Sequence, residues 1–272
     1  MMQRMPLASV FILLGLAGPA LAADTKPVKV LIITGDHGHA WKQTTPFLKE
    51  LLTKAGMEVA VTETPARDLA TDNLAKYDVL LLNYKDTKNG KPDTRWSEEN
   101  KKAFADAVTG GKGLVVYHHA SSAFTSGSAF DKEFEDLIAG GWRKQGNHGK
   151  RHVFHVTTRK ADHPIMKDMP SEFKHANDEL YQNSVMPADA TVLATAYADK
   201  ALDPKNSGKH EPVVWVAQRG KGRICENVLG HDVEAMQSPG FQTLLVRCVE
   251  WAATGEAHHA VPDDLKKGDG RE

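Results

Sequence analysis

Residues 29–39 read KVLIITGDHGH. Val28–Thr34 is apolar almost without alternation, the pattern of a strand buried on both faces. Gly35-Asp36-His37-Gly38 turns the chain. A helix should follow, capped by Thr44 or Thr45 with Pro46 in its first turn. Phe47, Leu48, Leu51, Leu52 and Ala55 form one apolar stripe on it, and Gly56 ends it. The same alternation continues downstream. Glu58–Thr62 reads as a strand, Asp68–Lys76 as a short helix and Val79–Asn83 as a strand. Ser97 caps a helix that turns Phe104, Ala107 and Val108 inward, and Gly113–Tyr117 is a fourth strand. This order predicts an α/β fold: a doubly wound, mostly parallel sheet with helices on both faces.

The second half is less regular. Lys132–Ile138 reads as a helix, Gly140–Gly149 as a glycine-rich loop and His152–Thr157 as a strand. Asp162–Tyr181 shows no period and is expected to be a long excursion. Val192–Ala196, Pro212–Ala217 and Arg223–Val228 read as strands. Phe241, Leu244, Leu245, Cys248, Trp251 and Ala252 share one face of a last helix that Gly255 ends. There is no repeat and no low-complexity linker, so residues 23–257 are expected to form one domain, followed by a polar tail at 258–272.

The first 22 residues are expected to be a signal peptide. Arg4 precedes the apolar run Pro6–Pro19, and Ala20-Leu21-Ala22 is an A-x-A cleavage site. Cleavage after Ala22 implies a periplasmic or secreted protein with no membrane span once cleaved. Lys plus Arg, 34, balance Asp plus Glu, 35, which leaves no basic field for nucleic acid. The two cysteines, Cys225 and Cys248, fall on apolar faces and are expected to be buried free thiols.

Histidines stand at three strand ends. His37 and His39 follow the first strand, His118 and His119 the fourth, and His231 the strand ending at Val228. The carboxyl ends of parallel strands are where open α/β sheets bind ligands, and imidazole suits proton transfer or metal ligation near neutral pH. Several chemistries lack their motifs. No G-x-G-x-x-G follows the first strand, so no nicotinamide cofactor is expected. No G-x-S-x-G presents a serine, neither cysteine follows a strand end, and no H-E-x-x-H is present. A divalent metal such as zinc, assembled from distant loops, stays open. Trp41, Trp142, Tyr181 and Trp215 lie near the same loops, and aromatic faces with polar neighbours suit sugar rings.

In order along the chain, these stretches resemble the trehalose-utilisation, or ThuA-like, family. The resemblance rests on Lys29–His39, Gly113–Ser121, the loop Gly140–His148, Asp162–Ile165 and Asp178–Tyr181. Pro212–Trp215, Gly220–Arg223 and Leu229–His231 complete it. It implies a flavodoxin-like fold related to class I glutamine amidotransferase domains. His119 stands near the place of the amidotransferase nucleophile, so glutaminase chemistry is not implied. What it does imply is work on a small carbohydrate, in sugar catabolism that proceeds through a 3-keto sugar. The expected catalytic residues are His119, His39, His231 and Glu179. The expected substrate-binding residues are Gly35, Asp36, His118, Trp142, His148, Asp178 and Tyr181. The competing readings are a non-catalytic carbohydrate-binding module and a metal-dependent hydrolase on the same fold.

Overall fold

A computed structural model of the chain describes residues 26–35, 38–88, 91–92, 95–125 and 127–267. The expected signal peptide, together with Asp36 and His37, lies outside them. Nine strands build one sheet: β1 (Lys29–Ile33), β2 (Glu58–Thr62), β3 (Val79–Leu82), β4 (Gly113–Tyr117), β5 (His152–Thr158), β6 (Glu172–Asp178), β7 (Thr191–Tyr197), β8 (His210–Arg219) and β9 (Gly222–Asn227). Their order is β2-β1-β3-β4-β9-β8-β7-β5-β6. The first five in that order run parallel, and the remaining four pair antiparallel. The 2-1-3-4 start is the flavodoxin-like order, with its switch point between β1 and β3.

Four main helices cover the sheet: α1 (Trp41–Lys54), α2 (Glu98–Thr109), α3 (Ala129–Leu137) and α4 (Pro239–Thr254). Alternate residues of the buried strands feed two cores. Val30, Ile32, Val115 and Cys225 meet Leu48 and Leu52 of α1 and Leu244, Leu245 and Cys248 of α4. Leu31, Ile33, Leu114, Val116 and Ile224 meet Phe104 and Val108 of α2 and Phe134 of α3. Each fully buried aliphatic side chain contributes roughly 1.5–3 kcal/mol, so strands apolar on both faces are what hold the two helical layers on one sheet. Among the described residues no helix is long and apolar enough to cross a membrane.

Several expectations change. The helix after β1 begins at Trp41, with Ala40 at its N-cap; Thr44 and Thr45 lie inside it, buried, with their hydroxyls accepting from the Asn83 amide. Ser97 caps α2 as expected, in a reciprocal box with Asn100. The stretch 162–181 is not a loop excursion, because β6 forms within it and pairs with β5. Phe173, His175 and Asp178 are its buried residues, and two of the three are polar, which hides the period in the sequence. The described part of the tail, 258–267, packs back on the domain. Val261 and Leu265 are buried in the core on the α4 face, and the Arg247 guanidinium donates to the His259 carbonyl. The cysteines are buried as expected but are not free: Cys225 and Cys248 form a disulfide, with Cα atoms 5.8 Å apart. Shared burial on one face, β9 against α4, brings the two thiols into bonding range.

Candidate active site

Three loops at the carboxyl ends of parallel strands deliver the histidines. After β1 the chain turns through His39 and Ala40, both with positive φ (59° and 46°). After β4, His118 also takes positive φ, 45°, and opens a single turn of 3-10 helix, His118–Ser122. After β9, Val228-Leu229-Gly230 leads to His231. Non-glycine residues in this region cost about 1–3 kcal/mol each. At His39 and His118 that strain aims the imidazoles at one another. The His39 ring stacks on His119 at 4.2 Å and meets His118 at 5.5 Å and His231 at 4.9 Å, edge to face.

The antiparallel half supplies the carboxylates. Glu179 follows β6, and its Oε2 lies 3.1 Å from His231 Nδ1 and 3.6 Å from His118 Nε2. Its Oε1 faces His148 Nε2 at 3.6 Å. Burial opposes ionisation of Glu179, but the His118 imidazole beside it and the hydrogen bond with His231 outweigh burial and hold the carboxyl well below its usual range. The same bond, then the charges of Glu179 and Asp178, raise His231. His39 moves the other way, to about 3, through burial first and then the neighbouring His118 and His231.

His118 is fully buried. Its Nδ1 lies 2.8 Å from the Val228 carbonyl. A carbonyl only accepts, so Nδ1 carries a proton, and in the neutral ring Nε2 offers its lone pair to the cluster. The Tyr181 hydroxyl donates to that nitrogen at 3.0 Å, and His231 Nδ1 stands 3.2 Å from it. His39, His118 and His231 each offer one atom within 4.8 Å of the others, a spacing that could hold a metal ion.

Asp178 takes a different place from the one expected. It is fully buried and faces protein on all sides, so it is an anchor and not a substrate contact. Its Oδ2 accepts from the Gly230 N–H at 2.6 Å and pairs with His175 Nε2 at 2.7 Å. Its Oδ1 accepts from the N–H groups of His231 at 3.0 Å and Glu179 at 2.8 Å. Burial would raise its carboxyl, but the hydrogen bond and charge of His175, the charge of His118 and the Gly230 N–H pull it down to about 2. One carboxylate thus fixes both the His231 loop and Glu179.

The remaining expected residues frame the cluster. Gly35 has φ 120°, and a Cβ there would stand 2.7 Å from the Glu63 carbonyl oxygen, so only glycine fits. Trp142 packs edge-on to Tyr181 at 4.5 Å and lies 5.9 Å from His148. His148 pairs with Tyr181 across a two-residue ribbon and is the most exposed imidazole facing Glu179. Trp215 is core, with its indole N–H donating to the Ala139 carbonyl.

Sequence reasoning passed over three contributors. Lys85, just beyond β3, donates to Ser122 Oγ at 3.0 Å, and burial lowers its ammonium. It too follows a strand end, which is the signal that could have found it. Arg151 pairs with Asp232 at 2.7 Å beside His231. His175 braces Asp178 from within β6, a strand the sequence did not reveal.

A family model described as ThuA, trehalose utilisation, matches residues 29–252. The chain is similar to a ThuA-like protein from Parabacteroides merdae at 32% identity, over 88% of this chain and 95% of that one, with a TM-score of 0.75. A ThuA-like protein from Bacteroides uniformis is 20% identical over 89% and 98% of the two chains, with a TM-score of 0.68. The fold also recurs in a beta-galactosidase from Rahnella sp. R3, at 14% identity and a TM-score of 0.53, over 83% of this chain and 31% of that one. No curated protein matches in sequence.

Proposed function

The chain belongs to the ThuA family, described by trehalose utilisation, and from that premise we propose an exported enzyme that acts on a carbohydrate, specifically a keto-sugar or glycoside derivative, by acid–base chemistry. The observation that carries this reading is the cluster of four imidazoles, His39, His118, His119 and His231, two of which, His118 and His231, face the single carboxylate Glu179. The leader at residues 1–22 supports export.

A ketone on a sugar ring acidifies the adjacent C–H. A base in the pocket takes that proton while the electron pair moves onto the ketone oxygen. A donor beside the oxygen stabilises the enediolate. The proton then returns to a neighbouring carbon, which isomerises the sugar, or to a glycosidic oxygen as its C–O bond breaks. Trp142 and His148 flank Tyr181 beside the cluster and offer aromatic surface for the apolar face of a sugar ring.

The test is proton exchange. Purified mature protein in D2O with a 3-keto-glucoside should wash deuterium into the position next to the ketone, followed by NMR. Glu179→Gln removes the carboxylate that faces His118, His148 and His231 and so disrupts their acid–base work, and should slow that exchange about 10²–10⁴-fold. Sugar binding by calorimetry with no exchange and no turnover would instead make the protein a carbohydrate-binding module.

A further inference from the structure

The geometry points to a divalent transition-metal site of the zinc class, held by His118, His231 and Glu179, with His39 as fourth ligand. This deepens the proposed function, because it names the electrophile of the same pocket and rests on that reading for its catalytic role.

The spacing carries the inference. Zinc–nitrogen bonds of about 2.0–2.1 Å at tetrahedral angles set donor atoms roughly 3.3 Å apart. His118 Nε2 and His231 Nδ1 stand 3.2 Å apart. Glu179 Oε2 is 3.1 Å from the second and 3.6 Å from the first. These three atoms already form one face of such a polyhedron. The His39 ligand atom lies within 4.8 Å of those of His118 and His231, so His39 closes the fourth corner by moving inward toward donor spacings of roughly 3.3 Å. His39 Nδ1 is buried with no hydrogen-bond partner, a state that normally signals an absent one.

The surroundings match those of metal-bound histidine. A ligating imidazole usually gives its other N–H to a carbonyl or carboxylate, which fixes the tautomer. His118 does so, Nδ1 to the Val228 carbonyl. The backbone of His231 and that of Glu179 are both pinned by Asp178. The Tyr181 hydroxyl donates to His118 Nε2; a cation would take over that lone pair and free the O–H for a bound ligand's oxygen. Nitrogen donors with one carboxylate favour zinc-class ions over magnesium or calcium. With these four residues engaged, the cation would act as a Lewis acid on a sugar carbonyl or hydroxyl that enters as a fifth ligand, and His148, facing Glu179 from the solvent side, is placed to move the proton.

The experiment uses tag-free mature protein stripped with a chelator and then titrated with Zn²⁺ by calorimetry and with Co²⁺ by visible absorption. The expected result is one equivalent of Zn²⁺ at micromolar affinity or tighter, with the intense d–d bands of four-coordinate Co²⁺. His231→Ala, at the half-exposed edge of the cluster, and Glu179→Gln should each weaken Zn²⁺ at least tenfold and bleach the cobalt bands. His152→Ala, a histidine outside the cluster, should bind as the parent does. Thermal melts identify any variant that fails to fold, and the other variant then carries the comparison. Absence of stoichiometric Zn²⁺ in the parent, or folded variants of both residues that retain its affinity, overturns the site. Tight binding without sugar turnover keeps the metal site and sinks the carbohydrate reading. Turnover by metal-free protein that binds no Zn²⁺ does the reverse.

Discussion

Replacing Asp178 with Asn should destabilise the protein severely although the two side chains have nearly the same size. The carboxylate is fully buried and receives hydrogen bonds at both oxygens. An asparagine amide can point its oxygen at the Glu179 and His231 N–H groups and keep those two bonds. Its NH₂ then faces the Gly230 N–H, which is 2.6 Å from Oδ2 in the parent, and His175 Nε2. His175 can relieve its clash by changing tautomer; a backbone N–H cannot. One buried donor without an acceptor costs about 1–3 kcal/mol, and the bonds that remain lose their charge assistance, so the total is about 2–4 kcal/mol. In a domain of this size that lowers Tm by roughly 5–15 °C. The opposite rotamer strands two N–H groups and costs more. Urea unfolding followed by circular dichroism measures the change directly. A loss below about 1 kcal/mol, with an unchanged urea dependence, would mean that Asp178 is not the anchor described above.

Three further outcomes are expected. Gly230→Ala places a Cβ 2.6 Å from the Phe241 ring at φ 94°, so it should cost at least about 1–2 kcal/mol from backbone strain alone and displace His231; melts together with a deuterium-exchange assay would show both losses, and a parent-like Tm would refute the fit. Glu226 is fully buried, and burial pushes its carboxyl well above the usual range despite the nearby Arg143; the folded protein therefore keeps a proton that the unfolded chain releases, stability falls as pH rises from the unfolded carboxyl range toward the raised value, and the stability of Glu226→Gln relative to the parent should improve from pH 4 to pH 8, whereas a constant gap in Tm would refute a protonated Glu226. The Cys225–Cys248 bridge closes a loop with a sequence separation of 23 and should contribute about 3 kcal/mol; alkylation and mass spectrometry of unreduced protein should find no free thiol, and the double Cys→Ser variant should melt earlier.

The parallel half of the fold was readable because its strands are apolar on both faces and its helices carry stripes and caps, as with Ser97 and Gly255. The antiparallel half was harder. Glu172–Asp178 alternates buried and exposed residues only partly, and its inward positions include His175 and Asp178, polar residues that look like loop until their mutual bond is seen. The histidines were legible as strand-end residues, but their ranking was not. His119 was expected to be catalytic and His118 to bind substrate, whereas positive φ turns His118 into the centre of the cluster. Such a backbone state at a non-glycine residue leaves no trace in composition. The disulfide was missed for a related reason: apolar neighbours suit a free thiol as well as a bridged one, and only the packing of α4 on β9 distinguishes them.

The strand β6 lies at the outer edge of the sheet and, among the described residues, pairs with β5 alone, yet its last residue, Asp178, is tied to Gly230 and His231 beyond the central strand β9. An edge strand ordinarily frays on its own and exchanges its amide hydrogens quickly. Here fraying from the Asp178 end must also release the His231 loop and Glu179, so the rim and the pocket should open as one cooperative unit. A ligand that clamps the pocket should then slow hydrogen exchange along Glu172–Asp178, in amides it never touches, and occupancy of the site becomes readable at the border of the sheet.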